Sequence, residues 1–325
     1  MGVTDARAGD RSACMVAIIG AGYMADEHIR AFADVPGVTI AGIFSRTPAK
    51  AEGLARTNGI KVVARSVAEL FERTRADLVV VAVSELAMRE VAIESFEFPW
   101  TVLLEKPPGH TLREARTIQH EAQIRKRKVL VALNRRCYST TRVALEDLAK
   151  RPGARYIHVQ DQQSREQVRA LGFPEEVIDS LMYVNSIHLV DYLRLFGRGE
   201  VKSVNPIMRW NPSCPGVVLA TLEFESGDLG LYEAVWQGPG PWAVSVTTPE
   251  IRWELRPLEK AVYQVRDERR LQGAEASALD QRFKPGLRLQ AADAAAAASG
   301  RRSGSVTLDD ALKTMELVAA IYGSD

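Results

Sequence analysis

Three short stretches carry residues whose types and spacing can do chemistry. The first is IIGAGYMA, residues 18–25, with Gly20-Ala21-Gly22-Tyr23-Met24-Ala25 at its centre. This G-x-G-x-x-A spacing follows an apolar run and opens a helical pattern. Gly20 permits a tight turn, Gly22 lets the backbone approach a pyrophosphate, and Ala25 lets the helix pack closely on the strand. Phosphates there meet the free N–H groups and the positive end of a helix dipole. A glycine turn with no ligand can share this spelling; its place between strand and helix favours the dinucleotide. The second stretch is LLEKPPGH, residues 103–110. Its prolines deny Lys106 a helical backbone. Parallel strands of an open α/β sheet deliver their C-terminal ends to the ligand crevice, which puts Lys106 beside the cofactor. A stiff surface turn with a solvated lysine is the bland alternative. The third is MYVNSIHLVDYLRLFG, residues 182–197, a mostly apolar helix with His188 near its start. Leu189, Leu193 and Phe196 recur at helical spacing as core; His188 falls off that stripe.

A fourth stretch bears on the cofactor. FSRTPAK, residues 44–50, ends the second strand. NAD-preferring folds place an acid here for the ribose hydroxyls. None occurs from Val38 to Ala51. Ser45 stands in the acid's place, and Arg46 and Lys50 follow. A hydroxyl and a guanidinium suit a 2′-phosphate, and Arg46 can also stack on adenine. NADP(H) is therefore favoured, with NAD(H) the alternative and plain surface charges the third reading.

Certain elements must position these residues. Apolar runs at 15–20, 38–44, 77–83, 100–105 and 128–133 lack polar alternation, as strands buried on both faces do. Helical patterns at 23–34, 47–58, 66–74, 86–97 and 111–127 lie between them, the last capped by Thr111 with Glu114 in a capping box. Repeated strand–helix units predict a doubly wound Rossmann domain over residues 14–134. Residues 1–13 read as a loose tail without a signal-peptide pattern. After about residue 150 strands dominate. Residues 217–236 read as a hairpin turning at Ser226-Gly227-Asp228, and 242–255 as another turning at Thr248-Pro249-Glu250. The alanine-rich stretch 291–305 reads as a helix ending at Ser299-Gly300, and a last helix follows Thr307, with Asp310 in capping position. Residues 135–325 thus form an α+β domain with an open, largely antiparallel sheet and returning C-terminal helices.

Composition narrows the function classes. The chain has 325 residues and a formal net charge of +1, so nothing electrostatic points to nucleic acid or an anionic membrane. The run Arg125 to Lys128 closes a helix, where cations suit the dipole. Three scattered cysteines give neither a disulfide framework nor zinc spacing, which fits a reducing, cytoplasmic setting. No apolar run is long enough to span a bilayer.

The glycine turn, Glu105-Lys106-Pro107 and a helix-leading His188 in a β-rich second half together resemble the Gfo/Idh/MocA oxidoreductases. So do NRRCYS (134–139) and the C-terminal return FKPGLRLQAADA with TLDDALKTMELVAAIY. The resemblance covers nearly the whole chain, and Glu-Lys-Pro is its most specific local motif. It implies a nicotinamide cofactor and a small sugar, nucleotide-sugar or cyclitol substrate between the domains. It also implies homodimers or homotetramers formed through the C-terminal sheet. By resemblance Lys106 lies by the reacting carbon and His188 exchanges the proton. Gly20, Gly22, Tyr23, Met24, Ser45, Arg46, Lys50, Ser84, Glu105 and Lys106 face the cofactor; Arg135, Tyr183, Asn185 and His188 face the substrate; no metal is implied.

The chemistry is consistent with these roles. Lys106 as an ammonium can polarise a carbonyl oxygen, and a histidine titrating near neutrality can give or take the proton. If Asn185 or Ser186 caps the helix, the dipole disfavours imidazolium at His188, whereas Asp191 three residues on favours it if close. Asp191 holding His188 as a purely structural pair is the bland reading. Gln160, Gln162 and Gln163 can read sugar hydroxyls or form a polar loop. Trp236, Trp242 and Trp253 are expected as sheet-face core or oligomer contacts. The sequence also departs from the family's pattern. Val184 replaces an aspartate four residues before His188, and Met88 replaces a histidine. Three readings follow, in order of preference: a working dehydrogenase, an altered catalyst such as an NAD-retaining glycosidase, and a cofactor-binding sensor.

Overall fold

The structure, a computed structural model, describes residues 13–323; most of the expected N-terminal tail lies outside the described residues. The first half forms a six-stranded parallel sheet. Its strands are β1 (Cys14–Ile19), β2 (Val38–Phe44), β3 (Val63–Ala64), β4 (Leu78–Val81), β5 (Thr101–Leu104) and β6 (Val129–Val131), in the order β3-β2-β1-β4-β5-β6. The order reverses beside β1, which creates the crevice where α/β sheets bind ligands. Every residue of β4, β5 and β6 is buried, so these strands read as unbroken apolar runs. β3 has only two residues, too few to leave a periodic signal, and no sequence pattern marked it.

Helices α1 (Tyr23–Ala33), α2 (Pro48–Asn58), α3 (Val67–Thr74), α4 (Met88–Ser95) and α5 (Leu112–Ile124) connect the strands. Thr111 caps α5 by accepting from the Glu114 amide at 3.3 Å. That helix stops at Ile124, short of the expected 127. Arg125 then pairs with Glu97, and Lys128 Nζ donates to the Ala297 carbonyl, so part of the basic run is tied into the fold.

After α6 (Ser139–Leu148) the chain builds an eight-stranded sheet. It consists of β7 (Tyr156–Gln163), β8 (Val201–Met208), β9 (Val217–Phe224), β10 (Leu229–Trp236), β11 (Ala243–Thr247), β12 (Ile251–Leu255), β13 (Ala261–Val265) and β14 (Gln272–Ala274). The order is β14-β13-β12-β11-β7-β10-β9-β8, and only β7 and β10 run parallel. Both expected hairpins are present, β9–β10 and β11–β12. Alternation decides the faces: Val218, Ala220, Leu222 and Phe224 of β9 are buried, while Val217 is 39% exposed.

Four more helices complete the second half before the C-terminal return: α7 (Arg165–Ala170), α8 (Glu175–Asp179), α9 (Ile187–Phe196) and α10 (Ala278–Arg282). The return then stitches the halves together. α11 (Leu287–Ala298) buries Leu287, Ala291, Ala294 and Ala295 with Ile18 and Leu130 of the first sheet and Ile29 of α1. Its alanines allow that close approach. α12 (Leu308–Tyr322) packs against both α5 and α9. Thr307 caps it, accepting from the Asp310 amide at 3.2 Å. No helix among the described residues is long and apolar enough to cross a membrane.

Candidate active site

A cleft of about 480 Å³ opens at the C-terminal ends of β1, β2, β4 and β5. Its walls include Gly20, Gly22, Tyr23, Met24, Ser45, Arg46, Lys50, Ser84, Glu105 and Lys106, all ten residues that the sequence set against a cofactor. The two glycines have separable reasons. Gly20 has φ of +119°, and a Cβ there would stand 2.0 Å from the Ala82 carbonyl oxygen, so the fold itself needs glycine. Gly22 has an ordinary φ of −92°, and no protein atom lies within 4 Å of where its Cβ would be. Nothing in the protein demands glycine at 22; a ligand approaching the backbone does. No side chain caps α1, so its first amides are left to such a ligand. Ser45 accepts from the Thr47 amide at 3.2 Å. Arg46 and Lys50 are exposed, and neither makes an ion pair among the described residues. The cleft therefore fits a nicotinamide dinucleotide, with a cationic, acid-free rim at the end of β2.

Glu105 and Lys106 close the inner end. Glu105 is buried and joins His28 Nε2 at 2.7 Å, while its other oxygen accepts from the Lys106 amide at 3.1 Å. Burial alone would raise the Glu105 carboxyl; the His28 bond and the Lys106 charge outweigh it and hold the group below the usual range. Sequence reading missed His28. The available signal was its place on the buried face of α1 with Ala25, Ile29 and Phe32, since a buried imidazole needs a polar partner. Lys106 Nζ donates to the Val184 carbonyl at 2.9 Å. Burial pushes the Lys106 ammonium below the lysine range, opposed by Glu105 and helped by Arg135.

The His188 helix differs from expectation. Met182–Ser186 form a π turn running directly into α9, and neither Asn185 nor Ser186 acts as a cap. π turns recur at functional sites because they shift the hydrogen-bond ladder by one residue. Here the carbonyl of Val184, in the missing aspartate's place, reaches Lys106. The ammonium is thus met by a neutral main-chain carbonyl, and the valine side chain at 184 brings no charge to it.

Asp191 does not serve His188 either. Its oxygens take Arg136 Nε and Nη2, both at 2.6 Å, and the Thr314 hydroxyl at 2.8 Å. His188 is 6% exposed and its Nδ1 is buried with no partner. Burial first, then Arg135 and Lys106, push its protonation well below the histidine range. Burial and the surrounding cations thus favour the uncharged imidazole, in the direction the helix start alone would have pushed it.

Among the other predicted substrate residues, Tyr183 is packed into the core. Asn185 is half-buried, its Nδ2 donating to Gln163 Oε1 at 2.8 Å. Gln163 in turn donates to Asp161 at 2.8 Å, and Tyr232 donates to the same carboxyl at 2.8 Å. Of the three glutamines, Gln163 is thus the one tied to the site, through a buried chain. Arg135 lies over Trp242, 4.5 Å from the ring centroid, so this tryptophan does more than fill the sheet face. Trp236 and Trp253 are buried in the core as expected. Met88 is also core. Among the described residues no cluster is suited to a metal ion.

Fold and cleft define a dinucleotide-binding Rossmann protein with a second, sheet-based half. Residues 14–133 match the family model described as GFO_IDH_MocA, oxidoreductase family, NAD-binding Rossmann fold. Over these residues the chain matches the Gfo/Idh/MocA oxidoreductase family, NAD-binding Rossmann fold. No curated protein matches the chain in sequence. Solved structures resemble it over its length. One is aldose-aldose oxidoreductase from Caulobacter crescentus, 18% identical, TM-score 0.78, covering 96% of this chain and 97% of that one. Another is UDP-N-acetylglucosamine 3-dehydrogenase GnnA from Acidithiobacillus ferrooxidans, 16% identical, TM-score 0.76, covering 95% and 97%. A third is an oxidoreductase from Agrobacterium radiobacter in complex with NAD+, L-tartaric acid and magnesium, 18% identical, TM-score 0.72, covering 96% of both. At these identities the likeness is one of fold.

Proposed function

We propose that this protein is an NADP(H)-dependent oxidoreductase that interconverts a CH–OH group and a carbonyl on a small sugar-like, nucleotide-sugar or cyclitol molecule. The observation that carries this reading is a single cleft walled by the Gly20–Gly22 turn, the acid-free end of β2 and Lys106. A bound nicotinamide supplies or accepts the hydride. The chain's residues do the rest. Lys106 donates to the substrate oxygen, and the Val184 carbonyl holds the ammonium in place without neutralising it. His188, uncharged at rest, takes the alcohol's proton in oxidation and returns it in reduction. Asn185, held by Gln163, sets the orientation of a neighbouring hydroxyl.

Arg46 and Lys50 support NADP(H) over NAD(H). A charge-assisted bond to a phosphate contributes about 1.5–3 kcal/mol. Arg46→Ala is therefore expected to weaken NADPH roughly 10–100-fold, with little change for NADH. Fluorescence titration of both cofactors checks this, and equal weakening would remove the 2′-phosphate assignment.

The missing acid at position 184 and the unpartnered His188 Nδ1 favour a second reading, a cofactor-binding sensor or a glycosidase retaining its nicotinamide. Absorbance at the reduced-nicotinamide band separates them. Substrate-dependent net oxidation or reduction supports the dehydrogenase. Sugar release without net change supports the glycosidase.

Assembly through the outer face of the second sheet completes the reading. Tyr156, Val217 and Leu229 expose apolar surface there, at 43%, 39% and 50%. A dimer or tetramer in light scattering, converted to monomer by Leu229→Glu, is the expected result; a monomeric wild type would refute it.

A further inference from the structure

The inner end of the cleft gathers positive charge with little to answer it. Arg135 follows β6 and lies flat on Trp242. Two of its three guanidinium nitrogens, Nε and Nη1, are buried without a hydrogen-bond partner. His188, 6% exposed, likewise has Nδ1 buried and unpartnered. Lys106 Nζ has only the neutral Val184 carbonyl. Lys284 stands 5.3 Å over the ring of Tyr23, a residue of the cleft wall. Arg135, Lys106 and Lys284 all act on His188 in the same repulsive sense.

Glu105 and Glu85 offset part of this charge at Lys106, but neither acts on His188. Glu105 is engaged by His28 and by the Lys106 amide. Asp161 is committed to Tyr232 and Gln163. Glu85 lies on the cleft wall, and Glu259 and Asp280 lie toward Tyr138 on the other side of Arg135. Position 184, beside Lys106, is valine.

Arg135 is half-buried and also bonds the Tyr138 side chain, but its two enclosed nitrogens have unmade bonds, which is unfavourable, and cations crowded in a low dielectric repel one another. A ligand that brings one negative charge relieves both. We propose that the substrate of this site carries a carboxylate, as a uronic or other sugar acid does, and that Arg135 binds it. Trp242 fixes the guanidinium plane, which favours a planar acceptor. A carboxylate suits the site better than a phosphate. Lys106 is held on the Val184 carbonyl and Lys284 over the Tyr23 ring, which leaves Arg135 as the planar donor for the anion, matched by a planar carboxylate. The carboxylate and the reacting CH–OH group lie in the same pocket on different carbons, and Lys106 and His188 are left for the exchange itself. The inference rests on the oxidoreductase reading for what is reacted, but the anion site is testable without turnover.

The test titrates NADP+-loaded protein calorimetrically with matched pairs: glucose and glucuronate, galactose and galacturonate, mannose and mannuronate. At least one uronate is expected to bind ten-fold or more tightly than its neutral hexose. Arg135→Gln is expected to abolish that difference while NADP+ affinity, which reports an intact fold, is unchanged. If that variant does not fold, Arg135→Lys keeps the charge and loses the fork, and is expected to weaken the uronate several-fold. The proposal is overturned if no uronate outbinds its hexose, if a hexose 6-phosphate binds more tightly than the uronate, or if a folded Arg135 variant retains full uronate affinity. A uronate that binds through Arg135 yet causes no nicotinamide redox change in either direction overturns the dehydrogenase reading and leaves the carboxylate site standing.

Discussion

Replacing Lys106 by methionine is expected to lower kcat on the order of 10²–10⁴-fold, with cofactor affinity nearly unchanged. Methionine keeps most of the side chain's volume and removes the charge. What is lost is the donor to the oxygen on which negative charge develops, a contribution made chiefly in the transition state. The fold is expected to persist. Burial holds the Lys106 ammonium below its ordinary value, so the charged form is disfavoured in the native state and its removal relieves that cost. Steady-state kinetics beside a thermal melt separate the two effects: kcat falls and the melting temperature holds. The pH profile gives a second check. The ammonium is the form that donates, so the reductive kcat should decline as pH rises through the Lys106 value, below the free-lysine value of about 10.4. A Lys106→Met enzyme with near-normal kcat would end the catalytic assignment.

Asp191→Ala is expected to be the most costly single change outside the cleft. Asp191 is buried and meets Arg136 through two bonds. Arg136 also reaches Asp310, which pairs with Arg194, and Arg194 donates to Thr314. The set joins the segment after β6, helix α9 and helix α12. Burial would lower the Arg136 guanidinium, but Asp191 and Asp310 more than reverse this, so it stays fully charged. Removing Asp191 strips Arg136 of two bonds and Thr314 of its acceptor while Asp310 still pairs with Arg136, so the cost is about 2–4 kcal/mol, below that of a wholly unpaired buried charge. Urea unfolding should show a loss of that size; Asp191→Asn, which keeps one acceptor, should lose less. A loss under about 1 kcal/mol would show that the network is dispensable. Activity should fall in Asp191→Ala too, because His188 lies one turn before Asp191 and Arg135 is next to Arg136.

Much of this molecule was legible because its signals are local. The apolar runs of β1, β2, β4, β5 and β6 mark strands covered on both faces. Ser226-Gly227-Asp228 marks a hairpin, and Thr111 and Thr307 mark helix starts. The letters of Gly20, Gly22 and Ala25 carry their chemistry because each answers to a neighbour in sequence. Errors arose where the deciding partner is far along the chain. The cap expected at Asn185 or Ser186 yields to a continuous π turn, since Lys106, 78 residues earlier, takes the Val184 carbonyl. Asp191 was matched to His188 by helical spacing, yet Arg136, 55 residues away, claims it.

The sequence by itself determined the two-part architecture, the phosphate-binding turn and the acid-free end of β2, because backbone propensity and hydrophobic period are written within a few residues. Only the tertiary structure decided the charge states of the inner cleft. Whether His188 is protonated, which main-chain carbonyl Lys106 meets, and which Arg135 nitrogens are left without a bond all depend on burial and on distant groups. Electrostatic energy acts through space and dielectric, and neither is expressed in the order of residues along the chain.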